Sequence, residues 1–430
     1  MQIVESYAPG DRWIQRLLPW IVCFSASLFF FYEFIQGNMF ASIADNIMHD
    51  FHVQADKMAY LSSTYYLANV LFLFIAGFVF DHLSTKKTLL LAMCFCVAGT
   101  FLLAHTHSFY VAMLCRFITG IGSAFCFLGP IRLASRWFPP QRMAMVTGAI
   151  ITMAMTGGML AQYPLAKLVG QVGWREGLVD VGWLGVVMLI MMFLGVVDKA
   201  PQDNHAISRI TKPRVKILAI AKQAYLNLQT LKAALYTSLM NMGIAVFGAM
   251  MGSLYLVQRL GITKEEAAAV NLMLFLGTVL GGPIIGWCSD KMKRRVVPMF
   301  YGCIASFAVL MCILFAPVSV AGMKVLFFLL GFFTSAQVIS YALVAESSPR
   351  EMTATAVSMV SILTQGGYIV YQNLFSYLLV QHGEMQMVNG VPTYSLADYQ
   401  YAALILPIGL CLAGLTLFRL KETNGQARQD

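Results

Sequence analysis

The chain has 430 residues, 59% of them hydrophobic and 11% charged, with a mean hydropathy of +0.70; a water-soluble chain carries about 25% charge, so a soluble domain is excluded. The formal net charge of +9 would suit a nucleic-acid binder if the basic residues shared one soluble face, but they lie between long apolar segments, so no nucleic acid is expected. Those segments run about 18–25 residues without period-2 alternation, which predicts an all-α integral membrane protein and not a barrel.

In chain order, residues 1–16 are mixed and polar, and the apolar run from residue 17 has no small-residue cleavage site, so the first helix is expected to remain. Helix 1, about residues 17–40, carries the polar patch Tyr32-Glu33-Phe34-Ile35-Gln36-Gly37-Asn38, which calls for a cavity. Helix 2, about 58–80, ends in Gly77-Phe78-Val79-Phe80-Asp81-His82-Leu83-Ser84-Thr85-Lys86-Lys87, where an apolar run stops at an acid and turns basic. Helices 3 (about 88–104), 4 (about 109–134), 5 (about 143–169) and 6 (about 178–197) follow, with Pro139-Pro140 in a basic connection between helices 4 and 5. Residues 198–232 hold seven basic residues against Asp198 and Asp203 and read as a cytosolic linker, with a surface helix through 216–231. Helices 7 to 12 are predicted at about 233–257, 265–287, 296–315, 323–345, 353–380 and 399–418, ahead of a polar tail.

The grammar of helix 2 returns after helix 8 as Gly286-Trp287-Cys288-Ser289-Asp290-Lys291-Met292-Lys293-Arg294-Arg295, displaced by 209 residues. The same offset carries Gly122 to Gly331, Pro140 to Pro349, Met143 to Met352 and Gly157-Gly158 to Gly366-Gly367. Two tandem copies of one module are therefore predicted, as six-helix bundles over 1–197 and 233–430 joined by 198–232. With both termini cytosolic, 22 of the 29 Lys and Arg fall inside, six outside (Lys57, Lys167, Arg175, Arg259, Lys264, Lys324) and Arg116 in the membrane. That asymmetry is the positive-inside rule and accounts for the net charge.

Twelve spans in two copies, a long basic middle loop, and the Gly-to-Asp motifs at Gly77, Asp81, Lys86, Lys87 and at Gly286, Asp290, Arg294, Arg295 resemble the major facilitator superfamily, as do Arg116, Gly120 and Gly122 in helix 4. Both copies lack the glycine that the family carries within the basic turn; His82-Leu83-Ser84 stands in the first. The Gly-Pro antiporter run of helix 5 is poorly matched by Thr156-Gly157-Gly158-Met159-Leu160-Ala161-Gln162-Tyr163-Pro164, which leans against efflux. Within the superfamily, the 31–36 run and Asn38-Met39-Phe40 resemble the phagosomal nutrient transporters of intracellular bacteria. The resemblance implies a bacterial inner-membrane secondary transporter working by alternating access, functional as a monomer, with a small-molecule substrate, protons and the lipid bilayer as partners and no cofactor. It also implies that Asp81 meets the start of helix 11 and Asp290 the start of helix 5, as gates between the modules.

Glu33 and Arg116 are the charges placed deepest, at comparable depth on antiparallel helices, where an isolated charge costs several kcal/mol. They would pair or line a wet cavity. An acid that moves between such surroundings loads and releases a proton; the alternative is a static ion pair locking helices 1 and 4. Further substrate-binding candidates are Tyr32 and Gln36 on helix 1, Asn241 on helix 7, Gln337 and Tyr341 on helix 10, and Gln365, Tyr368, Gln372 and Asn373 on helix 11, with Tyr236 also facing the cavity. Charge recognition falls to the first module, which suits a small solute with one anionic group, such as an amino acid whose carboxylate meets Arg116. The expectation is proton-coupled uptake of a small polar nutrient, an amino acid or nucleoside. The alternatives are efflux of a drug or siderophore and a non-transporting sensor. No enzyme is expected, since HExxH, GxSxG and P-loop motifs are missing. No metal site is expected either: the predicted external histidines (His49, His52, His105, His107, His382) are scattered, and all nine cysteines fall within apolar segments without ligand spacing.

Overall fold

In hydrocarbon every backbone N–H and C=O must be satisfied within the chain, and long apolar runs do this as helices. The computed structural model describes residues 12–138, 142–198, 227–348, 353–383, 386–388 and 391–424. Helix α1 runs Arg12–Asn38 and restarts as Phe40–Asp50. Then come α2 (Ala55–His82), α3 (Thr85–His105), α4 (Phe109–Ser123, then Leu128–Trp137), α5 (Met143–Leu160, then Tyr163–Val172) and α6 (Trp174–Gly195). Next is α7, built from Leu228–Met240, a π-helical stretch Ile244–Met251 and Gly252–Leu260. The set closes with α8 (Lys264–Met292), α9 (Val296–Phe315), α10 (Val320–Thr334, the 3₁₀ turn Ser335–Val338, then Ile339–Ser347), α11 (Thr353–His382) and α12 (Leu396–Ala403, then Ile405–Leu417).

Among the described residues nine helices are long and apolar enough to cross a bilayer, and the bent α7 pair makes a tenth. At 28 and 30 residues α2 and α11 have the length as well, so the twelve predicted spans each find a helix. Three departures stand out. Helix α1 does not stop at Phe40 but breaks at Met39 and continues to Asp50. Helix α7 begins at Leu228, capped by the Asn227 side chain, so the last residues given to a surface helix belong to the span; most of that helix and of the linker lies outside the described residues. Between α11 and α12 sits a small hairpin, β1 (Gln386–Val388) antiparallel to β2 (Val391–Thr393), with Gln386 opposite Thr393.

The repeat shows in the irregularities. The break in α4 at residues 124–127 and the 3₁₀ turn of α10 are related by the 209-residue offset within two residues, and Met39 maps into the π stretch of α7. Close helix approach rests on small residues, as it does in membranes generally. A Cβ at Gly157 would lie 2.1 Å from the Phe31 carbonyl on α1, and one at Gly120 would lie 2.3 Å from the Tyr65 carbonyl on α2. The two sets of six helices meet along α2–α11 and α5–α8. We call the end bearing residues 51–54 the outer end, the side the charge asymmetry gives it, and the opposite end the inner end.

Candidate functional site

Helix α4 buries one face, including Ala112, Cys115, Arg116 and Thr119, and this turns Arg116 into the first six helices, where it is wholly buried. Its guanidinium carbon lies 4.7 Å from the Phe40 ring centroid and 4.5 Å from that of Tyr65. Ring faces attract a cation and shield it from hydrocarbon. All three guanidinium nitrogens are nevertheless without a hydrogen-bond partner. The ion pair that sequence allows between Arg116 and Glu33 is therefore not formed. Glu33, also buried, accepts a hydrogen bond at Oε1 from the Tyr65 hydroxyl and at Oε2 from Cys96 Sγ at 3.5 Å. Tyr65 thus touches both, with its hydroxyl on the acid and its ring under the base. Three residues beyond Glu33, Gln36 is wholly buried with neither amide atom hydrogen-bonded.

The other candidates scatter. The Tyr32 hydroxyl donates to Thr100 Oγ1 at 3.0 Å and its ring packs against Gly185 of α6, so it sits inside the first six helices and away from the second six. Tyr236 likewise turns inward, donating to the Met299 carbonyl of α9 at 2.7 Å. Asn241 and Asn373 donate to carbonyls one turn back on their own helices, Thr237 at 3.0 Å and Ile369 at 2.7 Å. Tyr341 lies beside Ser361 and Thr364 of α11, and Gln365 is half-buried. Gln337 keeps an unpartnered Oε1 in the 3₁₀ turn of α10. Tyr368 does reach the other six helices: its ring lies 4.7 Å from that of Tyr66, whose hydroxyl donates to the Gly37 carbonyl at 2.8 Å. Gln372 Nε2 donates to Ala245 of the π stretch at 3.0 Å.

That π stretch is the hub of a closure at the outer end. A π turn frees carbonyls from the i to i−4 ladder and recurs at functional sites. Besides Ala245, Phe247 accepts from Asn271 Nδ2 at 2.9 Å and Gly248 from Gln162 Nε2 at 2.9 Å. Asn271 Nδ2 also donates to Gln162 Oε1 at 2.7 Å, joining α8 to the break in α5. Ser42, in the outer segment of α1, donates to the Ala161 carbonyl at 2.7 Å, and Asp45 two turns from the Met39 break pairs with Lys264 of α8. The Phe40–Asp50 segment also packs against the π stretch and β2. Sequence reasoning missed Gln162, Asn271, Tyr65, Phe40 and Cys96. A lone amide in an apolar helix, with Pro164 just after it, marks Gln162; Phe40 stands in the Asn38-Met39-Phe40 run quoted above, with nothing there to mark its ring as a partner of Arg116.

Toward the inner end the faces separate. Gly282 and Gly286 continue the face of α8 that carries Asn271, Phe275 and Thr278 against α5, where Thr278 Oγ1 lies 3.5 Å from Met155 Sδ. A Cβ at either glycine would meet nothing within 4 Å, and the same holds at Gly148 on α5 and Gly77 on α2. By contrast a Cβ at Gly158, nearer the outer end of α5, would lie 2.7 Å from the Phe275 ring. The contacts described between the two sets of six helices thus gather toward the outer end.

The predicted gating residues bond within their own six helices. Lys86 donates its backbone N–H to Asp198 Oδ1 at 2.7 Å, and Lys87 donates its N–H to Ser84 Oγ at 3.2 Å, so Asp198 and Ser84 cap α3. The Asp81 side chain lies outside the described residues. Asp290, where the repeat predicts a contact with α5, instead accepts from Arg295 Nη1 at 2.5 Å, in the same turn. Arg295 also donates to Glu346 Oε1 at 2.6 Å, while Arg294 is exposed. The hydrogen bonds to Glu346, opposed by partial burial and reinforced by Asp290, hold the Arg295 proton more tightly than usual.

Comparison with known proteins gives one family. The model described as Major Facilitator Superfamily matches residues 22–370 and 233–429. An uncharacterized MFS-type transporter, YceJ, of Bacillus subtilis is 24% identical over 62% of this chain and 66% of its own. The lysosomal dipeptide transporter MFSD1 of Danio rerio is 20% identical over 60% of this chain and 58% of its own. The chain thus spans less than two-thirds of the length of these relatives. The 4-hydroxybenzoate transporter PcaK of Acinetobacter baylyi is 24% identical over 72% of this chain and 73% of its own. Among solved structures, a bacterial homologue of the human lysosomal transporter Spinster, inward-facing and unoccupied, superposes with a TM-score of 0.72 at 16% identity, covering 93% of this chain and 96% of its own.

Proposed function

The chain belongs to the Major Facilitator Superfamily, and we propose that it couples proton entry to uptake of a small polar organic nutrient, the first classes to test being an amino acid, whose carboxylate would meet Arg116, and a nucleoside. It is a transporter and not an enzyme. The observation that carries the proposal is Arg116, a wholly buried guanidinium with three unsatisfied nitrogens, held between two rings and one tyrosine away from the Glu33 carboxylate. An unpaired buried charge is costly, and an incoming carboxylate would satisfy it with charge-assisted hydrogen bonds. The unpartnered Gln36 amide offers a second, neutral contact. In this reading Glu33 carries the proton. On the same reading the chain divides into two six-helix bundles joined by a linker that ends where α7 begins at Leu228, sits in a bacterial inner membrane with both termini cytosolic, and works as a monomer.

The test is uptake of labelled amino acids and nucleosides into proteoliposomes, with and without an inward proton gradient. Gradient-driven accumulation that Glu33→Gln abolishes while gradient-free exchange survives is the expected result. Accumulation that survives Glu33→Gln removes Glu33 as the carrier. If no solute of the panel moves in the parent protein, efflux substrates become the next reading.

A further inference from the structure

The Cys96 thiol has one proton and two acceptors. Its sulfur lies 3.5 Å from Glu33 Oε2 and 3.4 Å from the Thr119 backbone carbonyl, and it is wholly buried on α3 where α3 meets α4. Helix α4 packs closely on this sulfur: a Cβ at Gly122 would lie 2.5 Å from it. The other Glu33 oxygen is served by Tyr65. A carboxylate accepts at both oxygens, whereas a carboxylic acid needs an acceptor for its own proton and offers less to a donor.

We propose that Cys96 is a positioning residue for proton coupling: its S–H points at Glu33 while Glu33 is ionised and swings to the Thr119 carbonyl when Glu33 takes up a proton. The swing needs no backbone movement. It keeps the thiol proton hydrogen-bonded in either state, and the sulfur, once its proton has turned away, can accept from the new Glu33 O–H. The groups facing Glu33 are Arg116 and Cys126 from α4, Tyr65 and Tyr66 from α2, Cys96 from α3 and Tyr32 from its own helix. Of these only Cys96 and Tyr65 hydrogen-bond its carboxylate, and the Tyr65 hydroxyl is the donor that stays. The inference rests on Glu33 being the proton carrier, as proposed above.

The S–H stretch can be read by infrared difference spectroscopy on the full-length protein in detergent, with protons alone as the probe and Cys96→Val to identify the band. Its frequency is expected to change between the acid and alkaline ends of a titration in the parent and to stay constant in Glu33→Gln. A band that does not move in the parent, or that moves equally in Glu33→Gln, overturns the proposal. As a second arm, Cys96→Ser, whose hydroxyl can serve both acceptors, retains proton-driven accumulation. Cys96→Val loses it several-fold and keeps gradient-free exchange. Equal loss in both variants, or no loss in Cys96→Val, overturns the proposal as well. If Glu33→Gln leaves accumulation intact, the coupling role of Glu33 fails; an immobile S–H band with accumulation abolished by Glu33→Gln defeats the donor role alone.

Discussion

Asn271 donates its side-chain amide to Gln162 Oε1 at 2.7 Å, a buried hydrogen bond that joins α8 to α5 and so one set of six helices to the other. The same amide reaches the Phe247 carbonyl of the π stretch. Asn271→Ala removes both bonds. Only the bond to Gln162 crosses between the two sets, and at the average of about 0.6 kcal/mol for a membrane hydrogen bond its loss raises the outward-open population about threefold. Spin labels at Ser108 and Pro317, both at the outer end, should show a longer-distance population growing in the variant; an unchanged distribution would mean that closure is set elsewhere.

Arg116→Met should separate function from stability. Replacing a buried charge that lacks a partner by an apolar side chain is often neutral or stabilising. The unfolding temperature in detergent is expected to hold or rise by a few degrees while uptake of any carboxylate-bearing solute is lost. A large fall in stability would show that the guanidinium is structural.

The Arg295 network should behave in the opposite way. Arg295 holds α8, α10 and its own turn together through Asp290, Glu346 and Ser289, while Glu422 caps the following helix at the Arg295 and Val296 N–H groups. Arg295→Ala leaves Glu346 short of its partner and should cost about 2–4 kcal/mol. Arg295→Lys recovers only part, because the ammonium cannot repeat the forked contacts. Thermal unfolding of the two variants, compared side by side, reads the difference.

A Cβ at Gly282 meets nothing within 4 Å, yet the residue lies on the α8 face that meets α5 farther out. Gly282→Trp should fold normally and fail to transport, because the ring obstructs inner closure. Substrate accumulation falls to background while the outer-end label distances of the parent persist. Retained transport would show that α8 does not approach the other six helices at Gly282.

Much of the architecture was legible because hydrocarbon leaves so few options: apolar length sets the spans, and the 209-residue echo of Gly77 and Asp81 in Gly286 and Asp290 sets their grouping. Glu33 and Arg116 stood out because charges are rare in spans. Their relation did not. Whether two charges at one depth pair or are separated by a ring depends on rotation about two helix axes, and Tyr65 carries no mark among apolar and aromatic neighbours. The partner of Asp290 was hidden for a similar reason: the sequence shows where the acid repeats, but not that it meets Arg295 in its own turn. The break of α1 at Met39 has no proline to announce it.

That break has a mechanical consequence. The outer segment begins with Phe40, whose ring rests on Arg116, and carries Asp45, paired with Lys264. At 1.5 Å per residue Asp45 stands about 9 Å beyond Met39, so a tilt of about 20° there displaces it by about 3 Å, enough to part an ion pair. The segment has the geometry of a lever, its short arm on the guanidinium and its long arm on the Asp45–Lys264 pair, and on the function proposed above a carboxylate bound beside Arg116 would press on the short arm first.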